Sequence, residues 1–409
     1  MRNRIRRPRR LSSRLRGASL RGTVWRLALV GGLTAAVGAG AFHRADVPRV
    51  DTPLVVLGAN DLGMHCMQQD FSEFLILPPF NTLHAQVIDR SGEHPELVTE
   101  GVTVEYTIPQ NTRSTDKTNW WTYDQDLLGV DSPPDVGLEG AGMSGTMTRN
   151  PGKHDWKVVG IPITPIDDDG REDPYPLATV SVRRQGQVVA QTQIVVPVSW
   201  EINCNLCHNT PGISPGLDIL QDHDRLHGTT LVNSQPVFCA SCHADPALGA
   251  EGDPDVSTFS SAMHGAHSTR MDMVSLDNTC YACHPGIRTQ CQRDVHFASN
   301  ITCIDCHGDM AAVGDPGRTP WVDEPRCDDC HSRSRYEFEQ PGTLYRDSVG
   351  HGGVSCYACH GSPHAITPTV TAADNLQALR LQGHTGVIND CTVCHSRPEG
   401  DPFFHRTDD

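Results

Sequence analysis

The chain has few aromatics, 6% of 409 residues, and hydrophobic side chains reach only 37% while glycine and proline together number 66. Composition alone therefore cannot supply an ordinary side-chain core for this length. Acid is missing from the first 41 residues, which carry ten arginines; the rest of the chain holds 23 basic against 49 acidic side chains, a net charge of −26. A surface of that sign repels nucleic acid and anionic membranes and attracts cationic patches on partner proteins. Long hydrophobic runs are absent too. The apolar stretch from Leu27 to Ala41 is interrupted by glycines and Thr34 and falls short of the roughly 20 residues a spanning helix needs.

That stretch follows a basic segment and ends in Ala39-Gly40-Ala41. Basic n-region, short h-region and small residues before the cut predict a secretory signal over residues 1–41, with an uncleaved anchor as the alternative. Both imply export, to the periplasm or the cell exterior. The paired arginines of "RRPRRLSSRL" lack the full twin-arginine pattern, which leaves the general unfolded route.

Between Asp51 and Ser199 there is one cysteine, Cys66, and β-rich runs recur at Leu54 to Leu57, Val102 to Ile108, Lys157 to Ile163, Ala178 to Val182 and Gln187 to Val198. Several alternate, as in "VTVEYTI" and "ATVSV", and turn residues punctuate the gaps. The pattern predicts an all-β domain over residues 42–200, an antiparallel sandwich with an immunoglobulin-like arrangement among its options. Trp120 and Trp121 in "TNWWTYD" read as a loop packed on the sandwich rather than a sugar platform.

Beyond residue 200 hydrophobic periodicity fades, and fourteen of the sixteen cysteines occur in seven Cys-x-x-Cys-His motifs. They are Cys204-Cys207-His208, Cys239-Cys242-His243, Cys280-Cys283-His284, Cys303-Cys306-His307, Cys327-Cys330-His331, Cys356-Cys359-His360 and Cys391-Cys394-His395. Their starts lie 35, 41, 23, 24, 29 and 35 residues apart, too irregular for a solenoid. Zinc ribbons and disulfide scaffolds use paired cysteines but give no reason for histidine after every pair. With 21 histidines in 409 residues, seven chance followers have a probability on the order of one in a billion. The motif is the c-type haem attachment signature: two thiols one helical turn apart form thioethers, and the adjoining histidine reaches the iron.

The seven motifs resemble the exported multihaem c-type cytochromes. The resemblance implies seven covalently attached haems c, with His208, His243, His284, His307, His331, His360 and His395 as proximal ligands, in a loop-rich, short-helix domain over residues 201–409. At about 27 residues per motif, porphyrins would supply the missing apolar core and pack closely enough for stepwise electron transfer. "NDLGMHCM" and "ILPPFNTLHAQVI" are similar to the β domain that precedes haem domains in some of these cytochromes, and no activity follows from that.

Nine further histidines are candidate sixth ligands: His223, His227, His264, His267, His296, His351, His364, His384 and His405. In the families resembled, such residues often serve a haem other than the one attached next in sequence. Met263, Met271, Met273 and Met310 read as packing. Closed bis-histidine irons make an electron carrier; one open iron makes a catalytic oxidoreductase, the alternative reading. The Lys-for-His motif that marks the catalytic haem of multihaem nitrite reductases is absent, as is the eighth motif of the hydroxylamine oxidoreductases.

Two cysteines stand outside the motifs. Cys66, beside Met64, His65 and Met67, suggests a copper site or a haem ligand in His65, against a structural segment. Cys291 is the remaining thiol, and a Cys66–Cys291 disulfide would staple the halves. His84, His94 and His154 read as surface or structural. The partners expected are redox proteins with basic docking patches, or further copies of the chain in a filament sharing a ligand between subunits. Nucleic acid is excluded.

Overall fold

Residues 52–397 and His405 are described by a computed structural model; the expected leader lies outside them. Two antiparallel sheets face each other. In the first, β1 (Leu54–Ala59) pairs with β4 (Thr82–Asp89), whose other edge takes β5 (Glu96–Val98) and β9 (Asp155–Val159), and β8 (Thr148–Asn150) completes the layer. In the second, the order is β11 (Gln187–Val195), β10 (Leu177–Arg184), β6 (Thr103–Thr107), β7 (Ser144–Thr146). Alternation sets the inner faces: Val104 and Tyr106 of β6, and Ala178, Val180 and Val182 of β10, point into one core with Leu83, Ala85 and Val87 of β4. The sandwich expected from the sequence is present.

The Trp120-Trp121 pair opens helix α1 (Trp120–Leu128) rather than a loop. Trp120 is fully buried against Phe71 in an edge-to-face contact at 5.1 Å. Gly129, at φ 70° and φ-permissive, ends the helix by donating its N–H to Gln125.

The strand pattern of β1 is unusual because all six residues are buried. Leu54 and Val56 face the sandwich core, while Val55, Leu57 and Ala59 face a second cluster containing Tyr357, Ala358, Ala378, Ile388 and Val393. The histidine-rich half therefore covers the outer face of the first sheet, and all described residues fall within one compact unit, Val47–Asp409. Gln377 of α8 (Leu376–Gln382) closes the free edge of β1: it accepts from Gly58 N–H at 2.8 Å and donates to Gly58 C=O at 3.0 Å. A side-chain amide so replaces a neighbouring strand.

Polar groups join the two halves. Gln86 of β4 donates to Gly353 C=O and accepts from Ser355 N–H. Arg90 donates to the carbonyls of Thr392 and Val393. The short parallel pair of β3 (Phe74–Leu75) with β13 (Val237–Phe238) adds a backbone link between the halves, and a second, β2 (His65–Cys66) with β12 (Val198–Ser199), ties the end of the sandwich to its beginning. Gly63 has φ +83°, and a Cβ there would stand 2.0 Å from Pro363 O, so only glycine permits this approach.

His84 anchors the densest of these links. Its Nδ1 is 2.7 Å from the fully buried Asp155 and its Nε2 is 3.3 Å from Asp61, while Tyr357 O–H donates to Asp155 at 3.3 Å. Burial opposes protonation of His84, but the bonds and charges of the two carboxylates outweigh it and raise its pKa to about 8. Glu201 anchors the start of the second half in a comparable way. Burial works against its charge, yet the N–H groups of Ile287, Arg288 and Thr289 and the Thr289 hydroxyl hold it down to about 2.

After β12 and apart from the two-residue β13 the elements are helical, and most are a single turn. They comprise α2 (Pro215–His227), α3 (Phe259–His267), α4 (Val295–Ala298), α5 (Cys303–His307), α6 (Met310–Val313), α7 (Cys356–His360) and α8, with single 3-10 turns between. No helix among the described residues is long and apolar enough to cross a membrane.

Candidate metal centres

Each Cys-x-x-Cys-His motif folds as one helical turn. In α5 and α7 the turn is α-helical; in the others the histidine N–H donates to the first cysteine's carbonyl, as in His208 to Cys204 at 2.8 Å and His395 to Cys391 at 2.8 Å. Both thiols and the imidazole are thereby set around a single turn.

The chain then brings a second imidazole to each of the seven motif histidines. The pairs, by ring-centroid separation, are His208 with His267 at 6.4 Å, His243 with His223 at 6.3 Å, His284 with His264 at 6.0 Å and His307 with His364 at 6.0 Å. His331 pairs with His296 at 6.1 Å, His360 with His405 at 5.6 Å and His395 with His351 at 6.0 Å. His223 and His227, side by side on one helix, lie closer, at 4.8 Å. A metal–imidazole bond is about 2 Å, so two rings ligating one metal from opposite sides have centroids roughly 6 Å apart. The repeated spacing fits one metal between each pair.

Proton placement fits as well. His264, His267 and His405 donate Nδ1–H to the carbonyls of Ser260, Met263 and Glu337, and His243 donates to Ser257 C=O. His223 donates to the Thr229 hydroxyl, which Asp224 holds in turn. Fixing the proton on Nδ1 leaves the Nε2 lone pair for a metal. Burial also pushes His284, His307 and His360 down to about 4, so these imidazoles are neutral at pH 7.

Local signals explain how the second histidines reach their places. Ser214 caps α2 by accepting from Leu217 N–H, Pro215 follows it, and Gly228 ends the helix at φ 68°. His223 thus sits on a well-defined helix. Thr258 caps α3 in the same way, and the i,i+3 spacing of His264 and His267 sends one to His284 and the other to His208. His364 adopts a left-handed backbone, φ 60°, uncommon for a residue with a Cβ; its carbonyl is tied down by Arg293 N–H at 2.8 Å.

Two of the nine candidate sixth ligands, His227 and His384, face no motif histidine. His227 lies beside His223, and His384 bonds the Thr385 carbonyl. His65 is also elsewhere: it is buried, bonded to Pro78 C=O at 2.6 Å, and burial lowers its pKa to about 4. No group of three or more histidine, cysteine, aspartate or glutamate side chains placed to hold one metal ion occurs among the described residues. Cys66 and Cys291 are both free thiols, so the expected disulfide is not formed.

Contacts between motifs give them an order in space. Asn203, before the first motif, donates to the carbonyls of Tyr281 and Ala282 in the third. Asp222, adjoining His223, lies 3.8 Å from His208 and so links the second pair to the first. Asn278 donates to the Cys303 sulfur, joining third to fourth. The segment 291–296 touches His364 through Cys291 and carries His296, joining fourth to fifth. Phe338 stands between His331 and His405, and Ile388 N–H donates to Cys359 C=O. In chain numbering the motifs run 2, 1, 3, 4, 5, 6, 7.

Residues 321–396 match the family model described as cytochrome c7 and related cytochrome c. That stretch holds the fifth, sixth and seventh motifs. It is a multihaem c-type cytochrome region, and covalent haem c and electron transfer go with it. The chain matches none of the curated proteins or solved structures with which it was compared.

Proposed function

We propose that the chain is an exported electron conduit with seven haems c, each closed by two histidines. The fourteen motif cysteines would hold the porphyrins, with His208, His243, His284, His307, His331, His360 and His395 as proximal ligands. The second ligands would be His267, His223, His264, His364, His296, His405 and His351 respectively. Haem iron supplies reversible one-electron chemistry when bound; the chain's part is to fix the imidazoles, exclude water and set neighbours side by side. The observation that carries the reading is the recurrence of one ring separation at all seven motifs.

The order of motif contacts supports a single path from the His243 end to the His395 end. Acidic composition supports redox partners with basic docking patches. The reading with one open catalytic iron needs a motif histidine lacking a second imidazole, and no observation favours it. Filament assembly through a shared ligand would have to displace one of these seven intrachain partners.

Low-temperature electron paramagnetic resonance of the oxidised holoprotein, with haem quantified in the same sample, tests the proposal. Seven low-spin haems per chain are expected. A high-spin haem that responds to nitrite, hydroxylamine or cyanide would overturn the closed-conduit reading in favour of an enzyme.

A further inference from the structure

One of the second ligands is held by a carboxylate. His296 Nδ1 lies 3.0 Å from Asp294 Oδ2, and the other Asp294 oxygen accepts from Phe297 N–H at 2.9 Å. The same side chain thus caps α4 and grips the imidazole that faces His331. Asp294 is 4% exposed, so solvent does little to dilute its charge. By contrast, His264, His267 and His405 bond backbone carbonyls, His223 bonds a hydroxyl, and His364 faces the Cys291 sulfur.

A carboxylate on Nδ1–H draws the proton towards itself and leaves the ring more electron-rich at Nε2. Such a ligand stabilises the ferric over the ferrous state, and a fixed negative charge nearby acts in the same direction. Resting on the conduit reading above, we propose that Asp294 is a positioning residue which, through His296, keeps the haem attached at Cys327 and Cys330 below the potential it would have with an uncharged partner. The site is the fifth in a row of seven and joins the fourth to the sixth. The conduit therefore contains an internal step: this haem is oxidised more readily than a neighbour with a carbonyl-bonded ligand, and electrons collect on either side of it.

Asp294→Asn tests this in the holoprotein. Asparagine is isosteric and keeps one oxygen, which can still accept from Phe297 N–H, while its amide group in the place of Oδ2 takes both the charge and the acceptor away from His296. In a spectroelectrochemical titration one haem of the set is expected to move upward, its reduced-to-oxidised ratio at fixed potential rising about tenfold, which is 59 mV for one electron. The haem at Cys303 and Cys306 moves less in the same direction, because Asp294 also acts on Cys306 and His364; the other five stay in place, and Asp294→Glu reverses both shifts. Wild-type protein gives an independent readout: one low-spin signal should show the narrower g-anisotropy of an axial imidazole with anionic character, and the Asn variant should lose it. Titrations that superpose, together with no such signal in the wild type, would overturn the proposal. A haem count below seven or a high-spin signal in the wild type would instead count against the conduit reading itself, so the two failures are distinguishable.

Discussion

In the sandwich, Leu83, Val87, Val104, Val180 and Ile163 bury completely against one another. From Glu201 onward many buried apolar residues are small, Ala240, Ala282, Ala358, Ala365 and Ala378 among them, and the recurring contact is one imidazole facing another across about 6 Å. The first half carries its fold in its own side chains. On the proposed reading the second is arranged around groups that the polypeptide does not itself encode, which would let a chain with 6% aromatics be organised over so many residues.

The comparison can be broken most severely from the sandwich side. Trp120→Ala deletes a fully buried ring from the larger core and should cost about 3–5 kcal/mol in denaturant unfolding. The haem absorption spectrum of the folded variant should remain that of the wild type, because no motif histidine touches Trp120. A changed spectrum would show that the halves are not held by separate interactions.

The seam between them should show a pH signature. His84 has a folded pKa raised to about 8 from 6.5, so its contribution is fully present below pH 6.5 and is lost as pH rises through 8. The loss is about 2 kcal/mol. Denaturation midpoints measured at pH 6 and pH 9 should differ accordingly, and His84→Gln should flatten that dependence.

The smallest effect is expected where a histidine has no metal to serve. His227→Ala and His384→Ala should leave spin state and haem count unchanged, with stability within about 0.5 kcal/mol of wild type. Their neighbour in type, His264→Ala, should open the iron at His284 and give a high-spin signal. Electron paramagnetic resonance of the three variants side by side checks both statements.

Much of this was legible in the sequence, for identifiable reasons. A Cys-x-x-Cys-His turn is local, so motif positions and their first histidines follow from spacing alone. Pairing is not local: His364 meets His307 from 57 residues downstream, and His296 and His351, although just ahead of the fourth and sixth motifs, meet His331 and His395 instead. Of the histidines at i,i+3, His264 and His267 both face motif histidines, while of those at i,i+4, His223 and His227, only His223 does. Strand β4 did not stand out because His84 and Gln86 interrupt its apolar residues. They are nevertheless buried, each with partners supplied from elsewhere in the fold, and no alternation test anticipates such partners. Trp120 and Trp121 read as a loop because "TN" and "DQD" flank them; tertiary burial of Trp120 won over local polarity.

The doubly buried strand β1 has a consequence for the order of events in a newly made chain. Until the turn at Cys356–His360 settles on it, Val55, Leu57 and Ala59 form an apolar stripe open to water. The same packing sets the half-buried Cys359 against the stripe, so covering the sheet and folding that motif are one event. The strand laid down earliest among those described thus waits for a segment some 300 residues later in the chain, and a chain whose second half fails to fold would present a sticky sheet face to every other chain around it.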